Sequence, residues 1–246
     1  MAQQASASAS ASSDGPAQAT IGLFPFRQGD LLGVELTRED PCPCLCSDLS
    51  VTGLRLVDTD GDPVAVSSDD SSIFPIPAQD WVGRIALAHA DGAALAPGRY
   101  TVIVDTDLGE FRAEIDVLAA SAPRAAGRIT SRASVCGIEL HVYRLLDETS
   151  DGSTVTLRDG DLLMIALSGN PTTGYRWMAE QAPADFLEEL PGPDFHPESA
   201  LIGASGTFIF RYAAHARGTG ILTFSYLRPW ESVPPEKTVT LTIRVE

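Results

Sequence analysis

The sequence predicts an all-β fold, arranged as two β-sandwich domains in tandem. Short alternating or β-branched apolar runs recur along the chain, and Gly- or Asp-rich turns separate most of them. No stretch holds a helical period for the length that a stable helix needs. With 246 residues, 21 of them glycine and 17 proline, the chain is long enough for two domains that each bury a core.

Residues 1–19, built largely from Ala, Ser and Gln, carry too little apolar character to fold and are expected to form a disordered lead. They lack the basic start and apolar core of a signal peptide. The expectation is a secreted or periplasmic protein whose signal peptide is absent from the given sequence. Residues 20–118 then read as the first sandwich, with strand-like runs at 21–26, 31–36, 51–57, 82–88, 100–104 and 111–117. Asp60-Gly61-Asp62 and Asp91-Gly92 are among the turns between them. Leu95-Ala96-Pro97-Gly98-Arg99-Tyr100-Thr101-Val102 resembles the turn and penultimate strand of bacterial immunoglobulin-like modules, a likeness of fold that assigns no role to the domain.

Pro41-Cys42-Pro43-Cys44-Leu45-Cys46 is the chemically unusual stretch of this first domain. Together with Cys136, Cys42, Cys44 and Cys46 suit two disulfides in an exported protein, with three connectivities open. Free thiols are one alternative. Another is a zinc or copper site, since prolines hold the backbone extended and could turn three sulfurs to one side. The Cys-x-Cys-x-Cys spacing is not that of a zinc knuckle and no histidine is near, so no metal and no cofactor are assigned.

Residues 119–127 are small, with little to bury, and read as a linker. The second domain, 128–246, has runs at 138–143, 154–157, 162–167, 208–212, 221–225 and 239–245, and about seven strands account for it. Tyr175 and Trp177, two apart, read as one face of a further strand and as core. Residues 182–190 are the stretch most compatible with helix, about two turns of it.

The formal net charge is −16 and is uneven: residues 1–118 hold 6 Lys and Arg against 18 Asp and Glu, a net of −12. Such a surface repels nucleic acid and anionic membranes, so neither is expected as a partner. No run approaches the ~18 apolar residues of a membrane span, so no membrane insertion is expected. The four histidines, His89, His141, His196 and His215, are scattered, and no nucleophile elbow, zinc-protease motif or phosphate loop accompanies them. The chain does not read as an enzyme.

Three polar turns stand between the strands of the second domain. Ser168-Gly169-Asn170-Pro171-Thr172-Thr173-Gly174-Tyr175-Arg176-Trp177 follows a buried apolar run. Its Pro171 restricts both itself and Asn170, and Gly174 permits a positive φ, so the turn is expected to keep one shape. Gly203-Ala204-Ser205-Gly206-Thr207 precedes the strand at 208–212, and Arg228-Pro229-Trp230 follows the one at 221–225. Two threonines at a turn tip and a tryptophan in a loop exceed what chain reversal needs, so the residues alone leave tight turns of a β module and a partner surface both open.

These three segments, in this order, resemble the chagasin family of cysteine peptidase inhibitors over residues 127–246. The resemblance implies an immunoglobulin-like β-sandwich, and so two such domains in tandem, that presents three loops at one end to the cleft of a papain-like cysteine peptidase. It implies that Thr172 lies at the tip near the catalytic cysteine and histidine, with Asn170, Pro171, Thr173 and Gly174 shaping the turn. Gly203, Ala204, Ser205, Gly206 and Thr207 would line one flank, and Arg228, Pro229 and Trp230 the other. Ser205 stands where the family usually has glycine. Inhibition is expected to be reversible and non-covalent, and the inhibitor a monomer. The alternative is a secreted or surface immunoglobulin-like binding or adhesion module without inhibitory activity.

Overall fold

The computed structural model describes residues 25–38, 50–69, 80–107, 109–121, 134–135, 138–180, 183, 185–199 and 201–246. The lead at 1–19, much of the expected linker, and Cys42, Cys44, Cys46 and Cys136 with their expected pairing lie outside these residues. The first strands are β1 (Pro25–Arg27), β2 (Leu31–Arg38), β3 (Val51–Val57), β4 (Pro63–Val64), β5 (Val66–Asp69), β6 (Asp80–His89), β7 (Gly98–Thr106) and β8 (Gly109–Leu118). Then come β9 (Ser134–Val135), β10 (Ile138–Leu146), β11 (Thr154–Leu157), β12 (Leu162–Gly169) and β13 (Arg176–Ala179). The last are β14 (Leu187–Glu189), β15 (Asp194–Pro197), β16 (Gly206–Ala214), β17 (Gly218–Leu227) and β18 (Lys237–Val245). Glu148–Ser150 and Pro171–Thr173 each make a single 3-10 turn. The fold is all-β.

Among the described residues three sheets form, with orders β1-β8-β7-β3-β4, β14-β16-β12-β10-β2-β6-β5 and β11-β18-β17-β13. In the second, β15 also pairs with β16, and β9 with β10. The sheet is continuous because β10 has a neighbour on each side. It runs antiparallel to β2, with Val142 opposite Val34, and parallel to β12, with Leu145 opposite Met164. A strand that lies beyond the expected linker therefore pairs directly with one from the first region.

Alternation along β10 decides which layer each residue joins, because successive side chains point to opposite faces. Ile138, Leu140 and Val142 belong to a core built with β1, β2, β3, β6, β7 and β8. Leu146, on the same face, joins a second core with β11, β12, β13, β16, β17 and β18. Both smaller sheets thus pack on one face of the large sheet. Arg144 lies between the two cores, donating to the Thr156 carbonyl at 3.1 Å and lying 3.7 Å from the Asp30 carboxylate. Burial holds its pKa below the ordinary arginine value, against the opposing charge of Asp30. On the opposite face Val82, Tyr143, Leu145, Met164 and Ile209 form a smaller apolar cluster that also draws on both regions.

The stretch at 182–190 differs from its helical expectation. Leu187 through Glu189 extend as β14 against β16, Leu187 opposite Ala214. Phe186 and Leu187 are both buried in the second core; both amides donate to the Pro183 carbonyl at 3.1 Å and the Phe186 carbonyl accepts from the His215 amide, so one turn leads into the strand.

Candidate functional site

The central loop begins where β12 leaves the sheet. Asn170 has extended backbone (φ −135°, ψ 101°), and its Oδ1 accepts from the Thr172 amide at 3.0 Å and the Thr172 hydroxyl at 2.6 Å. Such a side-chain cap satisfies an amide that a single helical turn leaves unpaired. The Thr173 hydroxyl donates to the Asn170 carbonyl at 2.6 Å, and the Gly174 amide to the Pro171 carbonyl at 3.0 Å. Gly174 closes the turn at φ 83°, in the left-handed region. Below the turn, the Asn170 amide donates to the Tyr226 hydroxyl at 2.9 Å and the Trp177 indole to the Ser168 carbonyl at 3.0 Å. Trp177 is buried, as the sequence implies for a core residue, and Tyr175 is half-buried. The Tyr226 ring stacks on Tyr175 at 5.2 Å and contacts Trp177 at 5.1 Å.

The loop between β17 and β18 packs against one side of this turn. Arg228 donates from Nε to the Thr173 carbonyl at 3.1 Å, and its guanidinium lies 4.5 Å from the Tyr175 ring centroid. A cation over an aromatic face is attracted by the ring quadrupole. Arg228 also pairs with Glu231 at 2.9 Å; that hydrogen bond is the main reason its pKa stands above the ordinary value. Trp230 lies across Gly174: a Cβ there would sit 2.6 Å from the indole Cη2. Despite this contact Trp230 is 65% exposed.

The loop between β15 and β16 flanks the other side. Asn170 donates from Nδ2 to the Gly203 carbonyl at 2.9 Å. The Glu198 amide donates to the Ser205 carbonyl and the Ser205 hydroxyl to the Glu198 carboxylate, both at 2.9 Å, closing the base of the loop. Gly206 and Thr207, expected within this loop, instead open β16, opposite Pro197 and His196. Gly206 is buried, and a Cβ there would come within 2.2 Å of the His196 carbonyl oxygen. Both residues set the loop's base, while Gly203, Ala204 and Ser205 lie in the loop itself.

The three segments therefore meet, with Asn170 bonded to the second and Thr173 to the third. Sequence reasoning missed several contributors. Leu201 and Ile202, at the second loop, and Val233, three residues past Trp230, are exposed apolar side chains. Tyr226, just past the expected strand at 221–225, supports the turn from below, and nothing in the sequence signalled that its hydroxyl would reach Asn170.

An all-β frame presenting three interlocked loops with exposed apolar side chains has the geometry of a protein-binding surface. The family model described as Chagasin family peptidase inhibitor I42 matches residues 156–245. Chagasin of Trypanosoma cruzi is 37% identical over 84 residues, spanning 32% of this chain and 76% of that protein. Amoebiasin-1 of Entamoeba histolytica is 26% identical over 106 residues, 41% of this chain and 98% of that protein. Among solved structures, the cysteine protease inhibitor EhICP2 of Entamoeba histolytica aligns at 25% identity and TM-score 0.36, covering 42% of this chain and 93% of that one. The chain belongs to the chagasin family. Its members are peptidase inhibitors rather than enzymes.

Proposed function

We propose that the protein is a reversible, non-covalent inhibitor of papain-like cysteine peptidases, and that the three loops enter the active-site cleft as one wedge. The observation that carries this reading is the double linkage of the central loop, Asn170 to Gly203 and Thr173 to Arg228. Loops already bonded in one arrangement lose little conformational entropy on docking, so an interface of about 1,600 Å² can support nanomolar affinity, near −12 kcal/mol. Thr172 sits at the wedge tip, its hydroxyl committed to Asn170, and offers the enzyme a blocked turn in place of an extended scissile peptide. Trp230 supplies a large apolar face on one flank. The loops are carried by an immunoglobulin-like sandwich within 128–246, a second such sandwich occupies 20–118, and the protein acts as a monomer in a secreted or periplasmic setting.

The experiment is steady-state inhibition of papain by the full chain, followed by rapid dilution and mass analysis of the inhibitor. Nanomolar inhibition, recovery of activity on dilution and an uncut chain are expected. Absence of inhibition at micromolar concentration would contradict the proposal and favour an adhesion module.

A further inference from the structure

The large sheet carries a charged network on the face away from the two main cores. Glu35, on β2, is fully buried, and Arg211, on β16, is 6% exposed. Arg211 Nε donates to both Glu35 oxygens, at 2.8 and 3.0 Å, and its NH2 group donates to Oε1 as well. NH1 of the same guanidinium binds the Asp194 carboxylate and approaches the Pro191 carbonyl at 3.5 Å. Burial alone would lower the Arg211 pKa, but hydrogen bonding and charge pairing with Glu35, then Asp194, outweigh it and hold the pKa above the ordinary arginine value. Arg211 is therefore charged at every working pH.

The placement of these groups links the first region to one loop of the site. Asp194 opens β15, whose pairs with β16 run from Asp194 opposite Ile209 to Pro197 opposite Gly206. The turn joining those strands is the second loop. Val82 of β6 packs in the same apolar cluster as Ile209 of β16. A 160 Å³ cleft lined by Arg84 from β6 and by His196, Glu198 and Thr207 adjoins the loop's base. Arg211 lies within the family match at 156–245, whereas Glu35, Val82 and Arg84 lie outside it. A buried ion pair is rarely a better source of stability than apolar residues of similar volume, and its attested use is to fix one arrangement.

We propose that the region before residue 118 braces the second loop, and that Glu35 is the positioning residue: through Arg211 and Asp194 it fixes the β15–β16 hairpin in the register that presents Leu201 to Ser205. The proposal deepens the inhibitor reading and rests on it for its consequence in affinity. Its structural half stands independently.

The test compares the full chain with Glu35→Gln, Asp194→Asn and the apolar pair Glu35→Met with Arg211→Met. Two quantities are read: amide hydrogen exchange in the free protein, and inhibition of papain. In Glu35→Gln, exchange at 194–207 is expected to rise at least tenfold while 170–174 and 228–231 hold, and inhibition to weaken about tenfold through faster dissociation. Asp194→Asn, which cuts one link at a half-exposed carboxylate, should do the same to a smaller extent. It keeps the test decisive should Glu35→Gln not fold. The apolar pair should regain thermal stability without regaining inhibition. Recovery of both, or exchange rising evenly across 138–246, would reduce Glu35 to a structural role and overturn the proposal. If the wild-type chain fails to inhibit papain, the functional reading falls, and the exchange pattern alone decides the brace.

Discussion

The two loops that flank the central turn are held in different ways. The third, from Arg228 to Glu231, is fixed by neighbours within the same region: the Thr173 carbonyl, the Tyr175 ring, Glu231 and the face of Gly174 left open by its missing side chain. The second is bonded to the central turn through Asn170, has its own turn bond from the Ala204 amide to the Leu201 carbonyl at 3.1 Å and a closed base at Glu198 and Ser205, and the hairpin beneath is tied through Arg211 to β2. On the proposed reading, one inhibitory surface draws its rigidity from two sources, local packing on one flank and a distant strand on the other.

The largest effect should come from breaking the local flank at its hinge. Gly174→Val forces a β-branched residue to φ 83° and drives its Cβ into the Trp230 ring. Inhibition of papain should weaken by about 3 kcal/mol, beyond about a hundredfold, with the domain still folded. Undiminished inhibition would remove the central turn from the mechanism. Next, Trp230→Ala should cost about 2 kcal/mol of affinity, as interface hot spots do, with the thermal midpoint nearly unchanged because the indole is mostly exposed. A variant that unfolds would make Trp230 a core residue.

The braced flank should respond less to local change. Ser205→Gly, which restores the residue usual in the family, removes only the hydroxyl bond to Glu198, and the expected loss in inhibition is about 0.5–1 kcal/mol. A loss as large as that of Trp230→Ala would mean that local bonds, not the brace, hold this loop.

The smallest effect is a pH dependence confined to the same flank. His196 lies within the hairpin, opposite Thr207, and burial first, then the Arg211 charge, lower its pKa below the ordinary 6.5. Its contribution to stability is complete above that value and is lost as pH falls through the lower, folded-state pKa. The loss is at most about 1.4 kcal/mol per pH unit for one proton. Urea midpoints should fall between neutral pH and pH 5 in the wild type, and the slope should flatten in His196→Gln. Identical slopes would place the imidazole in water.

Much of this was legible in the residues. The runs at 51–57 and 154–157 became β3 and β11 without change, and the apolar runs at 162–167 and 239–245 became the body of β12 and β18. Proline before a threonine pair and a glycine after it foretold a fixed turn, because those constraints are local. What could not be read was non-local. Nothing in the alternation of 138–143 says that one edge of that strand meets β2 and the other β12, since both edges present the same backbone groups. Glu35 is the one charged residue of the run at 31–36, and its partner lies 176 residues away. Asp194 to Pro197 carries no strand signal, and it pairs because β16 offers a free edge.

Amide exchange of the full chain, free and saturated with active-site-blocked papain, tests the central claim most directly. The account predicts added protection at 170–174, 201–205 and 228–231, with residues 50–69 and 80–107 unchanged. Protection centred on the first region, or none at 170–174 in a complex that forms, would contradict it.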